Sequence, residues 1–274
     1  MLARISNRLL LVFLVAFLAA PTIAVVIVSF GNASVIQLPP KGFSLQWYGK
    51  VLTDPAWLAA IGRILMVSLL AVILAGTAGT MLAFAIARGG LSATTRKVFQ
   101  VAAIFPLAIP PVVIALGGYT MWSRLGITNS IWSLVPLYAA LGCPFVFLSA
   151  LGVLEKVGTD LDQASASLGA TRSYTLRRVT LPLILPAVLT GCGFALLTCM
   201  EEIVIALFLL GGHSETLPLK IYASLNFGVA PDIAAVTTLQ IGLAVAVAIA
   251  GAVWSWLRQR RRQLVSHGEI DHDE

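Results

Sequence analysis

Six long apolar stretches, nearly free of charge, recur along the chain. They lie at residues 9–30, 64–87, 98–122, 131–154, 183–210 and 233–257. About 20 helical residues cross the hydrocarbon core of a bilayer, whereas membrane-spanning strands would give shorter segments of alternating character. The pattern therefore predicts an all-α integral membrane protein with about six transmembrane helices.

Composition and charge argue against a soluble globular protein and against a nucleic-acid-binding protein. Hydrophobic residues make up 58% of the chain and charged residues 11%, which is about half of the charged fraction in soluble globular proteins. The net charge is +6, but the basic residues lie at the ends of the apolar stretches and not in a patch with interleaved aromatic residues. We therefore expect the lipid bilayer as the environment of this chain and no nucleic acid as its partner.

The distribution of the basic residues predicts the topology. With the N-terminus in the cytoplasm, only five of the 18 Lys and Arg residues fall on the outer side. Because cytoplasmic segments carry an excess of Lys and Arg, both termini are predicted to be cytoplasmic. A cleaved signal peptide is an alternative for the first stretch, since Arg4 and Arg8 precede it, but this stretch is long for such a segment.

We expect one transmembrane domain over residues 1–264. In it, residues 155–182 form a cytoplasmic loop, and residues 265–274 form a flexible cytoplasmic tail. The segment from Gly42 to Tyr48 lies in the outer loop between the first two spans. There Trp47, Tyr48 and Trp57 are expected at the membrane interface.

The chain has no motif for covalent chemistry. It lacks a phosphate-binding loop, a glycine-rich nucleotide motif and a histidine-rich metal-ligand cluster. Its three cysteines, Cys143, Cys192 and Cys199, lie inside predicted spans and are expected to be packing residues. Neither an enzyme nor a metal centre is predicted.

Two features inside the spans predict how the helices bend and pack. Pro106, Pro110 and Pro111 should bend or break the third span. Small residues at intervals of four should let helices approach closely in the second and last spans, although alanine is abundant throughout this chain. These small residues are Ala75, Gly79, Ala83 and Ala87 in the second span, and Ala234, Thr238, Gly242, Ala246 and Ala250 in the last.

The loop at residues 155–182 begins with a predicted short helix. Thr159 can cap it, and Asp160 and Asp162 lie in its first turn, where the helix dipole favours negative charge. Three apolar residues then share one face at spacings of three and four. These are Leu161, Ala164 and Leu168. The loop should therefore present a short apolar knob to the cytoplasm.

A glycine separates this helix from a second one. Gly169 is placed to end the first helix in a left-handed conformation. Thr171 can cap the second helix, which carries Arg172 and leads through Pro182 into the fifth span. The loop is thus predicted to be a helix, a glycine hinge and a second helix that enters the membrane.

The sequence of this loop resembles the EAA loop of ABC-importer permeases. In that family a Glu-Ala-Ala triplet is followed four residues later by glycine and further on by Leu-Pro. The corresponding positions of this chain are Gln163, Ala164, Ser165, Gly169 with Ala170, Leu181 and Pro182. Gln163 and Ser165 depart from the usual Glu and Ala, and Asp160 or Asp162 is a candidate to supply the missing charge.

This resemblance implies the type I ABC-importer permease fold in a bacterial inner membrane. It also implies that the loop docks on an ATPase subunit, which binds ATP and Mg in place of this chain. The expected partners are a second permease subunit, two ATPase subunits and a periplasmic solute-binding protein. The main alternative is a secondary transporter driven by an ion gradient, which would want ionisable groups deep in its spans and an internal repeat.

The stretch from Met200 to Tyr222 is similar to the spermidine/putrescine-type permeases and their relatives for opines, aminobutyrate and phosphonates. A small polar, amino-containing solute is therefore the expected substrate class, and the sequence does not identify the solute. Glu201 and Glu202 are the charged residues of the fifth apolar stretch. They line the pathway for a cationic solute, or they lie in interfacial water or pair with Arg63 or Lys220.

Overall fold

The computed structural model describes residues 2–211, 214–225 and 231–268. Five helices in these residues are long and apolar enough to cross a membrane, and a bent pair raises the number to six if it forms one span. The predicted all-α fold with about six spans is therefore confirmed. The chain divides into two compact units, described separately below: Met1–Ile61 with Leu219–Val245, and Gly62–Pro218 with Ala246–Glu274.

The α-helices of the described residues are α1 (Leu2–Ser29), α2 (Gln46–Thr53), α3 (Pro55–Arg88), α4 (Ala93–Ala108), α5 (Pro111–Arg124), α6 (Leu134–Val157), α7 (Asp160–Ser167), α8 (Arg172–Thr175), α9 (Leu181–Glu201), α10 (Val204–Leu210), α11 (Leu217–Leu225) and α12 (Pro231–Gly268). A 3-10 turn at Ile131–Ser133 precedes α6, and a π-helical segment at Leu176–Thr180 joins α8 to α9. Helix α12 continues four residues past the predicted domain boundary at 264. The rest of the predicted tail, 269–274, lies outside the described residues.

The predicted third span, 98–122, is two helices and not one. Helices α4 and α5 meet at an angle of 100°. The break falls at Ile109, which is extended, because a following proline disfavours helical backbone in the residue before it. Pro111 then opens α5 at the first helical position, where its missing N–H costs nothing. Pro106 lies inside α4 without ending it.

The predicted fifth span, 183–210, is also interrupted. Helix α9 ends at Glu201, Glu202 is extended, and α10 starts at Val204. The apolar run continues through α10, which is why the sequence pattern alone suggests one helix. The break is stabilised by polar groups, which are described with the candidate site.

The core of the second unit forms where α3, α6 and α9 approach closely. A Cβ at Gly79 would lie 2.9 Å from the carbonyl oxygen of Cys143, and one at Gly191 would lie 2.6 Å from the Cα of Val146. Ala75 and Ala83 are buried on the same face of α3 as Gly79. The predicted packing of small residues is confirmed for α3, whereas Gly242, Ala246 and Ala250 of α12 are exposed.

Larger side chains continue this core toward the predicted cytoplasmic loop. Ile86 of α3, Phe147 and Leu154 of α6 and Ile184 of α9 are buried in one cluster. Because lipid tails are as apolar as these side chains, van der Waals packing of this kind, and not transfer out of water, holds spanning helices together. The loop at 155–182 therefore starts and ends on well-packed helices.

In the first unit, the segment from Gly42 to Tyr48 packs against the end of α1. The Trp47 indole N–H donates to the carbonyl oxygen of Gly31 at 2.9 Å, and the hydroxyls of Ser29 and Tyr48 are 2.6 Å apart. Lys50 of α2 forms an ion pair of 2.8 Å with Asp232 in the first turn of α12.

Trp57, one of the residues predicted at the membrane interface, is shielded by the rest of the chain. Its side chain is buried, and the ammonium of Lys220 lies 5.0 Å from the centroid of its ring. A buried indole beneath a cation gains both apolar burial and a cation–π contact, which explains the inward orientation.

Candidate functional site

The loop between α6 and α9 has the predicted order of a helix, a glycine and a second helix. Helix α7 ends at Ser167, and Gly169 follows with a φ of +79°, in the left-handed region that favours glycine. The hydroxyl of Thr171 then accepts a hydrogen bond from the Tyr174 N–H at 3.3 Å and caps α8. The chain continues through the π-helical segment into α9.

The start of α7 differs in one detail from the prediction. Thr159 occupies the capping position, but its hydroxyl does not cap the helix. It instead accepts a hydrogen bond from the Gln163 side-chain amide at 3.3 Å. Gln163, which stands where the EAA loop has its glutamate, thus bonds within the loop.

An apolar surface faces outward from α7. Leu168 is 88% exposed, and Leu161 and Ala164 on the same side are also exposed. An exposed leucine alone is ordinary, but three exposed apolar residues spaced along one short helix form a small apolar surface. The predicted apolar knob is therefore present on the surface of this chain.

Several polar side chains hold α7 against its neighbours. Ser165, which replaces the usual alanine, lies with its hydroxyl 2.8 Å from that of Thr175 and so links α7 to α8. Asp162 forms an ion pair of 2.5 Å with Arg88 of α3. Asp160 remains exposed. Of the two acidic candidates for the missing charge, Asp162 is thus already paired inside this chain.

Glu201 and Glu202 have different surroundings. Glu201 is exposed at the end of α9. Glu202 is half-buried, and its carboxylate accepts a hydrogen bond from the Ile205 N–H at 3.0 Å, which caps the start of α10. Its carbonyl oxygen accepts a hydrogen bond of 2.8 Å from the buried Tyr138 hydroxyl. Glu202 therefore stabilises the helix break.

Arg63 and Lys220, the basic residues predicted as alternative partners of these carboxylates, each have a contact of their own. Arg63 donates to the carbonyl oxygen of Glu215 at 3.0 Å. Lys220 lies over the Trp57 ring, as described above.

Residues 79–263 match the family described as "Binding-protein-dependent transport system inner membrane component". The chain belongs to this family. It is therefore a multi-pass inner-membrane permease of an ABC importer and contributes to transport rather than catalysis. The resemblance predicted from the EAA-like loop is confirmed.

Two curated relatives cover nearly the whole permease. The putrescine transport system permease protein PotI of Escherichia coli (strain K12) is 30% identical over 260 residues, which are 91% of this chain and 89% of PotI. The spermidine/putrescine transport system permease protein PotC of the same strain is 28% identical over 251 residues, covering 91% of this chain and 94% of PotC. The permease is thus homologous to polyamine permeases, and identity of this order does not fix its substrate.

The fold is also similar to that of a solved transporter. A chain of a bacterial ABC transporter involved in the import of the acidic polysaccharide alginate superimposes with a TM-score of 0.69. The match covers 91% of this permease and 95% of that chain at 18% sequence identity. At this identity the likeness supports the importer permease fold and nothing finer.

Two residues of the site were not predicted from the sequence. In the sequence, Arg88 is one basic residue among several at the ends of the apolar stretches, and Tyr138 lies within the fourth stretch, 131–154. Their partners lie 74 and 64 residues away in the chain. The local sequence signal was a single arginine at the end of a span, which is common in membrane proteins.

Proposed function

We propose that this permease forms half of a translocation pathway for a small polar, amino-containing solute. Its partners in this proposal are a second permease subunit, two ATPase subunits that bind ATP and Mg, and a periplasmic binding protein. The observation that carries the proposal is the exposed apolar face of α7, held by a glycine-hinged loop on a packed core. Such a face fits a groove on a partner subunit.

The loop couples nucleotide binding to transport because α7 contacts both the ATPase and the spans. When the ATPase subunits close around nucleotide, α7 moves with them and shifts the two permeases between inward-open and outward-open states. Such a shift requires that the partner bind the two states with different free energy. No covalent step takes place in this chain.

A cationic amine is the favoured substrate class within this proposal. The relatives are named for putrescine and spermidine, both of which carry ammonium groups, and Glu201 offers an exposed carboxylate at the end of a spanning helix. A carboxylate in a span is costly unless it faces a polar cavity or a partner. In this proposal Glu201 faces the pathway. Glu202 acts indirectly, because it stabilises the break between α9 and α10.

We expect Glu201→Gln to lower the uptake of labelled putrescine about tenfold, because a hydrogen bond to a charged group contributes about 1.5–3 kcal/mol. Glu202→Gln should have a smaller effect, since the amide oxygen can still accept the Ile205 N–H. The measurement is uptake by proteoliposomes that contain the complete importer and its binding protein. Asp54→Asn is the control, because Asp54 is a carboxylate of the outer loop whose oxygen accepts the Ala56 N–H at 2.7 Å.

Equal uptake by the Glu201→Gln variant and the wild type would contradict a role of this carboxylate in the pathway. A binding screen on the periplasmic protein with polyamines, aminobutyrate, opines and aminophosphonates identifies the solute independently. The rival mechanism, a secondary transporter, requires accumulation of solute by vesicles that contain no ATPase. Accumulation under those conditions would overturn the importer proposal.

A further inference from the structure

Arg88, the last residue of α3, contacts two other segments at the base of the loop. Its Nε donates to a carboxylate oxygen of Asp162 in α7 at 2.5 Å. Its Nη2 donates to the carbonyl oxygen of Gly158, just after α6. A planar guanidinium can bond to several acceptors at once in a fixed geometry. One side chain thus joins the ends of α3 and α6 to α7.

Asp162 extends this network to the start of α9. One carboxylate oxygen accepts from Arg88, and the other accepts from the hydroxyl of Thr180 at 3.0 Å. Thr180 is 4% exposed and ends the π-helical segment that leads into α9. Arg88, Asp162 and Thr180 therefore connect α7 to three spanning helices. We refer to these three residues as the joint.

The joint is partly shielded from solvent. The side chains of Arg88 and Asp162 are 18% and 28% exposed. Charge-assisted hydrogen bonds are stronger than neutral ones, and shielding reduces their screening by salt. The joint also borders a cavity of about 460 Å³.

A glycine flanks α7 on each side. Gly158 precedes α7 with a φ of +65°, and Gly169 follows it with a φ of +79°. Without a Cβ, the backbone meets little steric resistance to a change of conformation at either position. A force applied to α7 would therefore be absorbed at these hinges unless side-chain contacts carried it further.

We propose that the joint passes the movement of α7 to α3, α6 and α9 during the transport cycle. This inference rests on the proposed docking of the ATPase on α7. Arg88 and Asp162 are positioning residues in this mechanism, since they touch neither nucleotide nor solute. The link between Ser165 and Thr175 is separate, so the loop can stay folded when the joint is broken.

The test measures whether α7 and α3 move as one body. Spin labels are placed at Ser167→Cys in α7 and Met81→Cys in α3, both exposed, with the three native cysteines replaced by alanine. Distances are measured in the complete importer without nucleotide and with ATP and vanadate. The variants are Arg88→Gln, Asp162→Asn, both together, and Arg88→Lys. Lys97→Gln is the control for loss of an exposed charge on the same side.

We expect one narrow distance distribution in the wild type and in Lys97→Gln, unchanged by nucleotide. Arg88→Gln and Asp162→Asn should each broaden the distance distribution and make the mean distance depend on nucleotide. The double variant should broaden the distribution little further, because both changes break the same contact. Arg88→Lys should be intermediate, since lysine keeps the charge but cannot hold two acceptors in a fixed geometry. Solute uptake should fall about tenfold while ATP hydrolysis continues.

If the distance distribution of Arg88→Gln were narrow and independent of nucleotide, the proposed role of the joint would be wrong. Parallel loss of folded protein, hydrolysis and uptake would also overturn it, because that outcome is expected of a purely structural ion pair. Failure of the proposed docking gives a different result. If the ATPase did not dock on α7, it would still copurify with the Leu168→Asp variant, which places a charge in the apolar knob.

Discussion

Gly191→Ala is expected to lower the thermal stability of the permease, although alanine is the better helix former. The added methyl group would lie 2.6 Å from the Cα of Val146 and 2.8 Å from the carbonyl oxygen of Phe145. Both atoms belong to the backbone of α6, which cannot move aside as a side chain can. Overpacking of this kind costs about 1–3 kcal/mol, against a gain of about 1 kcal/mol in helix propensity.

Gly193→Ala is the matched control on the same helix. Its new methyl group would meet only a side-chain methyl of Val247 at 3.7 Å, an ordinary contact distance. This variant should be as stable as the wild type or slightly more stable. The measurement is the fraction of monodisperse protein left in detergent after heating to a series of temperatures. If Gly191→Ala withstood heating as well as Gly193→Ala, the close approach of α6 and α9 would be wrong.

The signals that predicted the fold correctly were local ones. A hydrophobic run reports a spanning helix because the bilayer imposes its length on each helix separately. Gly169 and Thr171 predicted the end of α7 and the start of α8 because capping depends on residues within one turn. Small residues such as Gly79 predicted a close helix contact, although not its partner.

Features that depend on distant partners could not be predicted in this way. The apolar run through α9 and α10 hides the break at Glu202, which is stabilised by Tyr138 from another helix. Thr159 was expected to cap α7, but its hydroxyl bonds to Gln163. The three prolines predicted a bend in the third span, but not that Ile109 would separate two helices at 100°.

In the candidate site, too, the features that follow from local sequence were predicted and those that depend on distant partners were not. The outward face of α7 follows from the spacing of its apolar residues, and the resemblance to the EAA loop rests on the same short stretch. The partners of Asp162 lie on α3 and at the start of α9 and depend on the packing of the spans. The substrate cannot be predicted from this stretch, and relatives that are 28% and 30% identical do not fix it.

Leu168→Asp should abolish the association of the permease with its ATPase and, with it, transport. Leu168 is 88% exposed in this chain, so the change should leave the permease itself folded. Docking would lose about 1.5–3 kcal/mol of apolar burial, and a carboxylate would have to be desolvated in addition. A loss of at least about tenfold in affinity is therefore expected. The measurement is the amount of ATPase that copurifies with tagged permease, together with solute uptake.

Leu91→Asp is the matched control, because Leu91 is an exposed leucine in the short connection between α3 and α4 on the same predicted cytoplasmic side. It should retain the ATPase, since the proposed docking surface is confined to α7 and its end. If both variants lost the ATPase equally, the docking surface would be broader than the knob of α7. If Leu168→Asp retained both ATPase and uptake, the loop would not be the point of docking, and the energy for transport would have to enter the permease elsewhere.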